Sequence, residues 1–366
     1  MWAAFRALFA AIGADRAAAL LLLASPVIYA GFYPSAYTDE VVTRAPVVVV
    51  DLDRTAASRQ LTIRVDAVQQ AEIVARLPAA ADAKAWMADG RAVAAVIIPE
   101  GFGEQIARGS PGTVLLTGHG GYLLRASSAL GGIGASLGQT GRDAAQQQAR
   151  AAGPPAPPAL SLVTRPLFNT REGYGAAVFP GVAFVIIHQS LLLGLALLAG
   201  TARERLGGGF QVTGPQLAGI ALGAGLIGLL GVGWFVGMVF WWHDYPRGAA
   251  PFIDVAIGSV LFVAATVAAA LALASLFSTR ERPLQLVLPI SLPLFFLAGL
   301  SWPAEATPPA LVALSRLFPT TPGLELMVGL NQMGGSLADY WRPAVNLAVL
   351  ALAFGVIAAR RWVARS

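Results

Sequence analysis

The sequence predicts an α-helical membrane protein with six transmembrane helices plus an extracytoplasmic α/β domain. Hydrophobic residues make up 56% of the 366-residue chain and charged residues only 12%, whereas about 25% of a soluble domain is charged. Six apolar stretches approach the roughly 20 residues that a helix needs to cross a bilayer. One long segment between the first two stretches instead alternates between strand-like and helix-like patterns, which is typical of an α/β domain.

The predicted spans are separated by short connections, except for the first two. They cover residues 17–33, 177–200, 215–241, 253–277, 284–302 and 343–363. Residues 1–16 precede them as an amphipathic segment whose apolar face holds Trp2, Phe5, Leu8, Phe9 and Ile12, a pattern that favours a helix lying in the membrane interface. The first span is predicted to be an uncleaved anchor, because a proline and aromatic residues stand where a signal peptide has its small-residue cleavage site.

The distribution of arginine orients the spans. With the N-terminus in the cytoplasm, nine arginines lie inside and three lie in the short outer loops, as the positive-inside rule requires. The inner set is Arg6, Arg16, Arg203, Arg205, Arg280, Arg282, Arg360, Arg361 and Arg365, and the outer set is Arg247, Arg316 and Arg342. Both termini are therefore predicted to be cytoplasmic.

This orientation divides the chain into further parts. Residues 34–175 form the extracytoplasmic domain, and residues 176–366 carry spans two to six. Residues 200–215 form a cytoplasmic loop, and the apolar, proline-punctuated residues 303–342 are re-entrant or lie on the outer surface. We expect the latter segment to pack against the spans, because irregular backbone at membrane depth persists only when protein buries it.

Residue counts argue against several kinds of site. The chain has no cysteine and three widely separated histidines, so we predict no disulfide, thiolate or metal site. The net charge of +5 indicates membrane orientation rather than nucleic-acid binding, given so apolar a chain.

The stretch VVVVDLDRT (47–55) resembles the first motif of the haloacid-dehalogenase-type phosphatases, which would make Asp51 a nucleophile and Asp53 an acid/base. That family also supplies a late lysine and further carboxylates, whereas the single lysine here, Lys84, comes too early. The alternative is structural: Val47–Val50 form a buried strand, and Asp53 or Thr55 caps the helix that begins near Ala56.

Few polar residues occur inside the predicted spans. Those that stand out are His188, Gln189, Ser190, Gln285 and Asn346. Such residues are candidates for a transport pathway, although a helix–helix hydrogen bond is an equally good interpretation of His188. The otherwise apolar interior favours an amphiphilic or hydrophobic cargo over a small ion.

Five stretches in order resemble one family. Asp15-Arg16 ends the amphipathic segment, and VVVVDLDRTAASRQL (47–61) opens the outer domain. AVAAVIIPEGFGEQIARG (92–109), Arg-Glu-Arg at 203–205, and WPAEATPPALVALSRLFPTTPGLELMVGL (302–330) follow. The set is similar to an ABC-transporter permease of the type-2 exporter class, in the subgroup with a large extracytoplasmic domain between the first two spans.

The resemblance implies a multi-pass permease in a bacterial inner membrane that pairs with a second permease chain, identical or not. Each permease chain docks a cytoplasmic ATP-binding subunit, and Arg203, Glu204 and Arg205 lie at that coupling surface. In a cell with an outer membrane, a periplasmic adaptor is a further expected partner. The chain has no Gly-x-x-x-x-Gly-Lys-Ser/Thr motif, so we expect no cofactor in this chain, no enzymatic activity, and ATP with Mg²⁺ in the partner subunit.

Two other functions stay open at this point. The chain could be a non-transporting receptor or assembly platform built on its outer domain. A membrane-tethered phosphatase using Asp51 and Asp53 is the weaker alternative.

Overall fold

The computed structural model describes residues 1–37, 42–108, 110, 112–152, 173–207, 210–300, 302 and 304–363, without the side chains of residues 123, 140 and 142–152. The chain forms two compact units. Met1–Thr38 and Arg165–Ser366 make up the helical unit, and Asp39–Thr164 makes up the α/β unit.

Two helices open the helical unit. Helix α1 covers Trp2–Ala14, and α2 covers Arg16–Ser35 with one π-helical turn at Leu20–Ala24. They meet at Asp15, whose backbone is extended (φ −120°, ψ 106°). Leu8 and Ile12 of α1 are buried. The apolar face of α1 is thus partly occupied by protein rather than left wholly to the membrane.

The α/β unit contains a four-stranded sheet in the order β2-β1-β3-β4. Strand β1 pairs in parallel with β2 and β3, whereas β4 is antiparallel to β3. The elements in chain order are β1 Ala45–Asp51, α3 Ala56–Asp66, β2 Ala71–Leu77, α4 Ala80–Ala88, β3 Ala94–Ile98, α5 Phe102–Ala107, β4 Leu115–Gly118 and α6 Leu123–Ala152.

Alternate valines of β1 enter cores on opposite faces of this sheet, as the two-residue period of a strand dictates. Val47 and Val49 join one core with Leu61 of α3, and Val48 and Val50 join another with Ala83 of α4. The predicted burial of Val47–Val50 is confirmed. From its sequence, the Gly- and Pro-rich stretch at 153–158 is also predicted to break the last helix of this unit, and residues 159–168 to form a final strand, but both stretches lie outside the described residues.

Among the described residues, seven α-helices follow in the helical unit. They are α7 Tyr174–Arg205, α8 Gly214–Trp242 with a π-helical segment at Trp234–Val239, α9 Phe252–Ala274, α10 Arg282–Leu297, α11 Pro309–Ser315, α12 Thr320–Asn331 and α13 Trp341–Trp362. Helix α7 is the most buried of the long helices. Its neighbours include α2, α8, α9, α10 and α12.

Five helices of the described chain are long and apolar enough to cross a membrane: α2, α7, α8, α9 and α13. A sixth span is not confirmed, because the helix at that place, α10, has only 16 residues. It is about 24 Å long, against roughly 30 Å of bilayer hydrocarbon. Pro289 and Pro293 lie inside it, and Gly299, in the left-handed region at φ +82°, follows its end.

Helix α12, within the predicted outer segment, packs against α7, α9 and α13, as expected for that segment. Its first residue, Thr320, places its hydroxyl 3.4 Å from the His188 ring near the middle of α7. At its other end, the Asn331 carbonyl accepts a hydrogen bond of 2.6 Å from the backbone N–H of Gly248, between α8 and α9. Helix α12 therefore starts deep among the long helices and ends beside the α8–α9 connection.

Candidate functional site

The two acidic residues of the phosphatase-like motif hold the turn between β1 and α3. Asp51 Oδ1 accepts hydrogen bonds from the backbone N–H groups of Asp53 (3.1 Å) and Arg54 (2.9 Å), and Oδ2 accepts one from the Ser58 hydroxyl (2.7 Å). Arg54 has a φ of +55°, so this turn needs such support. Three hydrogen bonds thus hold the Asp51 carboxylate against its own turn and the first turn of α3.

The predicted helix cap is confirmed at Thr55. Its hydroxyl oxygen accepts from the Ser58 backbone N–H at 3.3 Å and donates to Asp53 Oδ2 at 2.5 Å. Asp53 Oδ2 also accepts from the Gly103 N–H at 3.0 Å, at the start of α5. Asp53 therefore joins two loops rather than capping α3 itself.

Asp51→Asn should lower the free energy of unfolding by about 1–3 kcal/mol, since an amide cannot accept from all the donors that the carboxylate serves. We expect phosphate release with Mg²⁺ to be the same for both proteins. Thermal unfolding of the full chain in detergent and a phosphate-release assay check these expectations. Release by the wild type that the variant loses would restore the phosphatase interpretation.

At the other candidate site, an ion pair joins the two chain segments that make up the helical unit. Asp15 caps α2 by accepting from the N–H groups of Ala17 (3.0 Å) and Ala18 (3.2 Å). The Arg280 guanidinium, between α9 and α10, donates to both Asp15 oxygens, with Nη2 2.9 Å from Oδ1. The Asp15 side chain is only 7% exposed, so its carboxylate is shielded from water. The two parallel hydrogen bonds make the ion pair bidentate, which is the stronger kind.

Arg280 also ties this pair to the end of α7. Its Nη1 donates to the Thr201 hydroxyl at 3.2 Å, and its backbone N–H donates to Glu204 Oε1 at 2.9 Å. The junction of α1 and α2, the last turns of α7 and the α9–α10 connection therefore share one set of polar contacts.

The Arg280 guanidinium also lowers the pKa of Asp15 below its ordinary range, mainly through the hydrogen bonds it donates, against an opposing effect of burial. A carboxyl whose pKa is depressed by folding stabilises the protein at neutral pH and loses that contribution as the pH falls. We expect the unfolding temperature to drop more steeply from about pH 5 downward in the wild type than in Asp15→Asn. Trp fluorescence during thermal unfolding measures both slopes, and equal slopes would contradict the assignment.

Arg203, two residues after Thr201 in α7, binds the end of α9. Its Nη1 donates to the carbonyls of Ala274 (3.0 Å) and Ser275 (3.1 Å), which lie at the C-terminal end of α9, where carbonyls lack intrahelical partners. Its guanidinium lies 4.4 Å from the centre of the Trp362 ring. Trp362 of α13 in turn donates its indole N–H to the backbone carbonyl of Leu271 in α9 at 2.8 Å. Arg203 and Trp362 therefore join the ends of α7, α9 and α13.

We call this whole set the arginine-end network: Asp15, Thr201, Arg203, Glu204, Arg280 and Trp362. The structure separates the three residues predicted as a coupling surface. Arg203 is half-buried inside the network, while Glu204 and Arg205 are exposed, and all three belong to the last turn of α7 rather than to a loop. Sequence reasoning missed Asp15 and Arg280 as partners. The only local signal was an acidic residue at a helix start.

The predicted pathway residues have separate surroundings. His188 is buried with Thr320, and the Ser190 hydroxyl lies 2.8 Å from that of Ser25 in α2. The amide of Gln189 is buried without a hydrogen-bond partner among the described residues. Gln285 is exposed on α10, and Asn346 is half-buried on α13. No hydrogen bond recorded in the described chain joins any two of the five.

Within the ranges that the structure describes, no three of His, Cys, Asp and Glu are grouped so that they could hold a metal ion.

Comparison with known proteins identifies the family. No curated protein matches the sequence. The family model described as "ABC-2 family transporter protein" matches residues 18–360, a range that runs from the first turn of α2, through the α/β unit, to the last turn of α13. The chain therefore belongs to the ABC-2 family of transporter proteins and is the membrane permease subunit of an ABC transporter.

Proposed function

We propose that this permease is the transmembrane subunit of an exporter that uses ATP hydrolysis to move an amphiphilic or hydrophobic substrate outward. The arginine-end network is the observation that carries the proposal. It joins α1, α2, α7, α9 and α13 through charged and aromatic side chains at one end of the long helices. A movement imposed on this network by an ATP-binding subunit would be passed to several membrane-spanning helices at once, as coupling to an ATPase requires.

The proposed assembly contains two permease chains and two ATP-binding subunits that hold ATP and Mg²⁺. Family membership implies an ATP-binding subunit in general, and the missing phosphate-binding motif supports its being a separate chain. The arginine counts support cytoplasmic termini in a bacterial inner membrane and an α/β unit outside it. A periplasmic adaptor is proposed for cells that have an outer membrane. The receptor and phosphatase alternatives are not favoured.

A re-entrant α12 is part of this proposal. Contact between Thr320 and His188 supports it, because His188 lies well inside the longest span. The interior next to this contact is packed with apolar and aromatic side chains, including the fully buried Phe179, Phe184 and Phe262. An apolar interior of this kind suits an acyl or aromatic cargo better than a hydrated ion. Transport of a strongly polar solute as sole substrate would contradict the cargo proposal.

The coupling surface itself is proposed to be the exposed side of the α7 end, Glu204 and Arg205, with Arg203 transmitting force within the network. Arg205→Glu should lower the stimulation of the partner's ATPase at least fivefold with an unchanged unfolding temperature. Arg203→Ala removes donors to three carbonyls and should lower the free energy of unfolding by about 1–3 kcal/mol. Purified complex, ATPase assays and thermal unfolding separate the two effects.

The paired reversal of Arg203 and Glu204 should lower coupling as well, with membrane insertion intact. Normal ATPase stimulation by both Arg205→Glu and the paired reversal would remove these residues from the coupling surface. Co-purification from native membranes, with identification of the bound chains, tests the assembly directly. Recovery of the permease without any ATP-binding chain under conditions that preserve complexes would count against the exporter.

A further inference from the structure

A groove of about 500 Å³ lies beside α1 at the arginine-rich end of the helical unit. One wall is α1, and the other walls are the last turns of α7 and the first turns of α8. Leu271 and Trp362 also line it. Its size is within the range of about 300–1,000 Å³ that is usual for small-molecule sites.

The sequence of α1 accounts for this empty space. The side of α1 that faces the groove carries alanines, among them Ala3, Ala7 and Ala11. On another side, Phe5, Leu8 and Phe9 surround Gly223 of α8, where the missing side chain lets the two helices approach closely. Helix α1 therefore packs tightly on α8 and leaves unfilled space toward α7.

The groove lining has the chemistry of a lipid-chain site. Seventeen residues line it, and all are apolar except Gln211 and Gln216. Leaving such a lining in contact with water costs about 25 cal/mol for each Å², so an apolar occupant stabilises the protein. No acidic or basic side chain belongs to the lining, so the groove itself offers no place for a charged group.

The depth of the groove favours a membrane lipid over a soluble protein. Its lining extends along α7 from Ala202 back to Leu195, ten residues before Arg205. Ten helical residues span about 15 Å, half the thickness of the hydrocarbon core. A lipid chain already lies at that depth beside a helix in the membrane interface.

Positive charge stands close to the groove. Arg203 holds its guanidinium over the Trp362 ring, which forms part of the lining. Exposed Arg6 lies between two lining residues of α1, and exposed Arg361 precedes Trp362. Basic side chains near a bilayer surface attract anionic headgroups by about 1 kcal/mol each.

We propose that the groove binds one acyl chain of an anionic phospholipid from the adjoining leaflet, whose headgroup is held by the neighbouring arginines. The lipid would fill the space between α1 and α7 and so set the position of α1. This site is distinct from the coupling surface of Glu204 and Arg205, and the lipid labelling that first tests it needs neither ATP nor the partner subunit.

The test uses phosphatidylglycerol with a photoreactive diazirine in one acyl chain, mixed into phosphatidylcholine nanodiscs that hold the purified chain. After illumination, peptide mapping should find the label on residues 3–11 and 195–202. Ala7→Trp fills the groove from an exposed position and should lower this labelling at least fivefold. Ala10→Trp, exposed on the same helix but outside the lining, should leave it unchanged.

Further measurements test which molecule occupies the groove. A phosphatidylcholine probe with the same acyl chain should label these peptides at least threefold less than the anionic probe, and equal labelling would overturn the charge selectivity. Undiminished labelling in Ala7→Trp would overturn the site. Loss of labelling when the ATP-binding subunit is added would assign the groove to a protein side chain instead.

Discussion

Asp15→Arg should abolish coupled transport, because it places a second guanidinium against that of Arg280 at a site where the native residue is 7% exposed. The substitution removes two charge-assisted hydrogen bonds, the α2 cap and the attraction that holds the α9–α10 connection to α2. Losing one partner of a shielded, hydrogen-bonded pair costs at least about 2 kcal/mol. We expect the stimulated ATPase rate to fall more than tenfold.

A charge exchange separates lost coupling from lost folding. Asp15→Arg combined with Arg280→Asp restores opposite charges and should recover at least part of the stimulation, although the α2 cap stays absent. Arg282→Glu is the matched control, because Arg282 is exposed, only two residues away, and contacts Ser278 alone among recorded hydrogen bonds. Normal coupling in the single Asp15→Arg variant would show that the pair is dispensable.

Gly323→Leu should separate α12 from the long helices. A side chain at Gly323 would overlap the ring of Phe262 on α9, which is itself fully buried against Phe184 of α7. Forcing extra atoms into a packed interior costs about 1–3 kcal/mol. We therefore expect a lower unfolding temperature in detergent and loss of substrate transport, with membrane insertion preserved.

Gly225→Leu provides the comparison for this change. Gly225 lies in α8, and a side chain there meets no atom within 4 Å. Gly225→Leu makes the same replacement within a helix as Gly323→Leu, but it does not crowd a neighbouring side chain. We therefore expect its unfolding temperature and transport to match those of the wild type. Equal unfolding temperatures for the two variants would mean that α12 moves freely away from α9.

Local signals made much of the α/β unit predictable. The valine run predicted β1, and the Thr55 cap followed from residues within a few positions of each other. The sixth predicted span is not confirmed at α10, because hydropathy registers apolar residues but not the helix end at Gly299. Hydropathy alone also could not show that α1 lies against the two close-approach glycines of α8, Gly219 and Gly223.

The candidate site depended on contacts that no local pattern encodes. Arg203 was predicted to face a cytoplasmic partner, but its acceptors lie more than 70 residues away, and Asp15 meets Arg280 across 265 positions. A positively charged loop residue and a capping arginine look alike in sequence. Arg203 caps α9 and does not lie in an exposed loop because α7, α9 and α13 end close together in the fold.

The close contact at Gly200 restricts how the helices of the arginine-end network can move relative to one another. The backbone of Thr279 and Arg280 lies directly against this glycine of α7, with no room for a side chain between them, while Arg203 holds the carbonyls at the end of α9. The α9–α10 connection therefore cannot slide along α7, nor can α7 turn about its axis without carrying that connection with it. During a transport cycle, we expect the ends of α7 and α9 to move together. A change in the distance between these two helices would then have to occur farther along them.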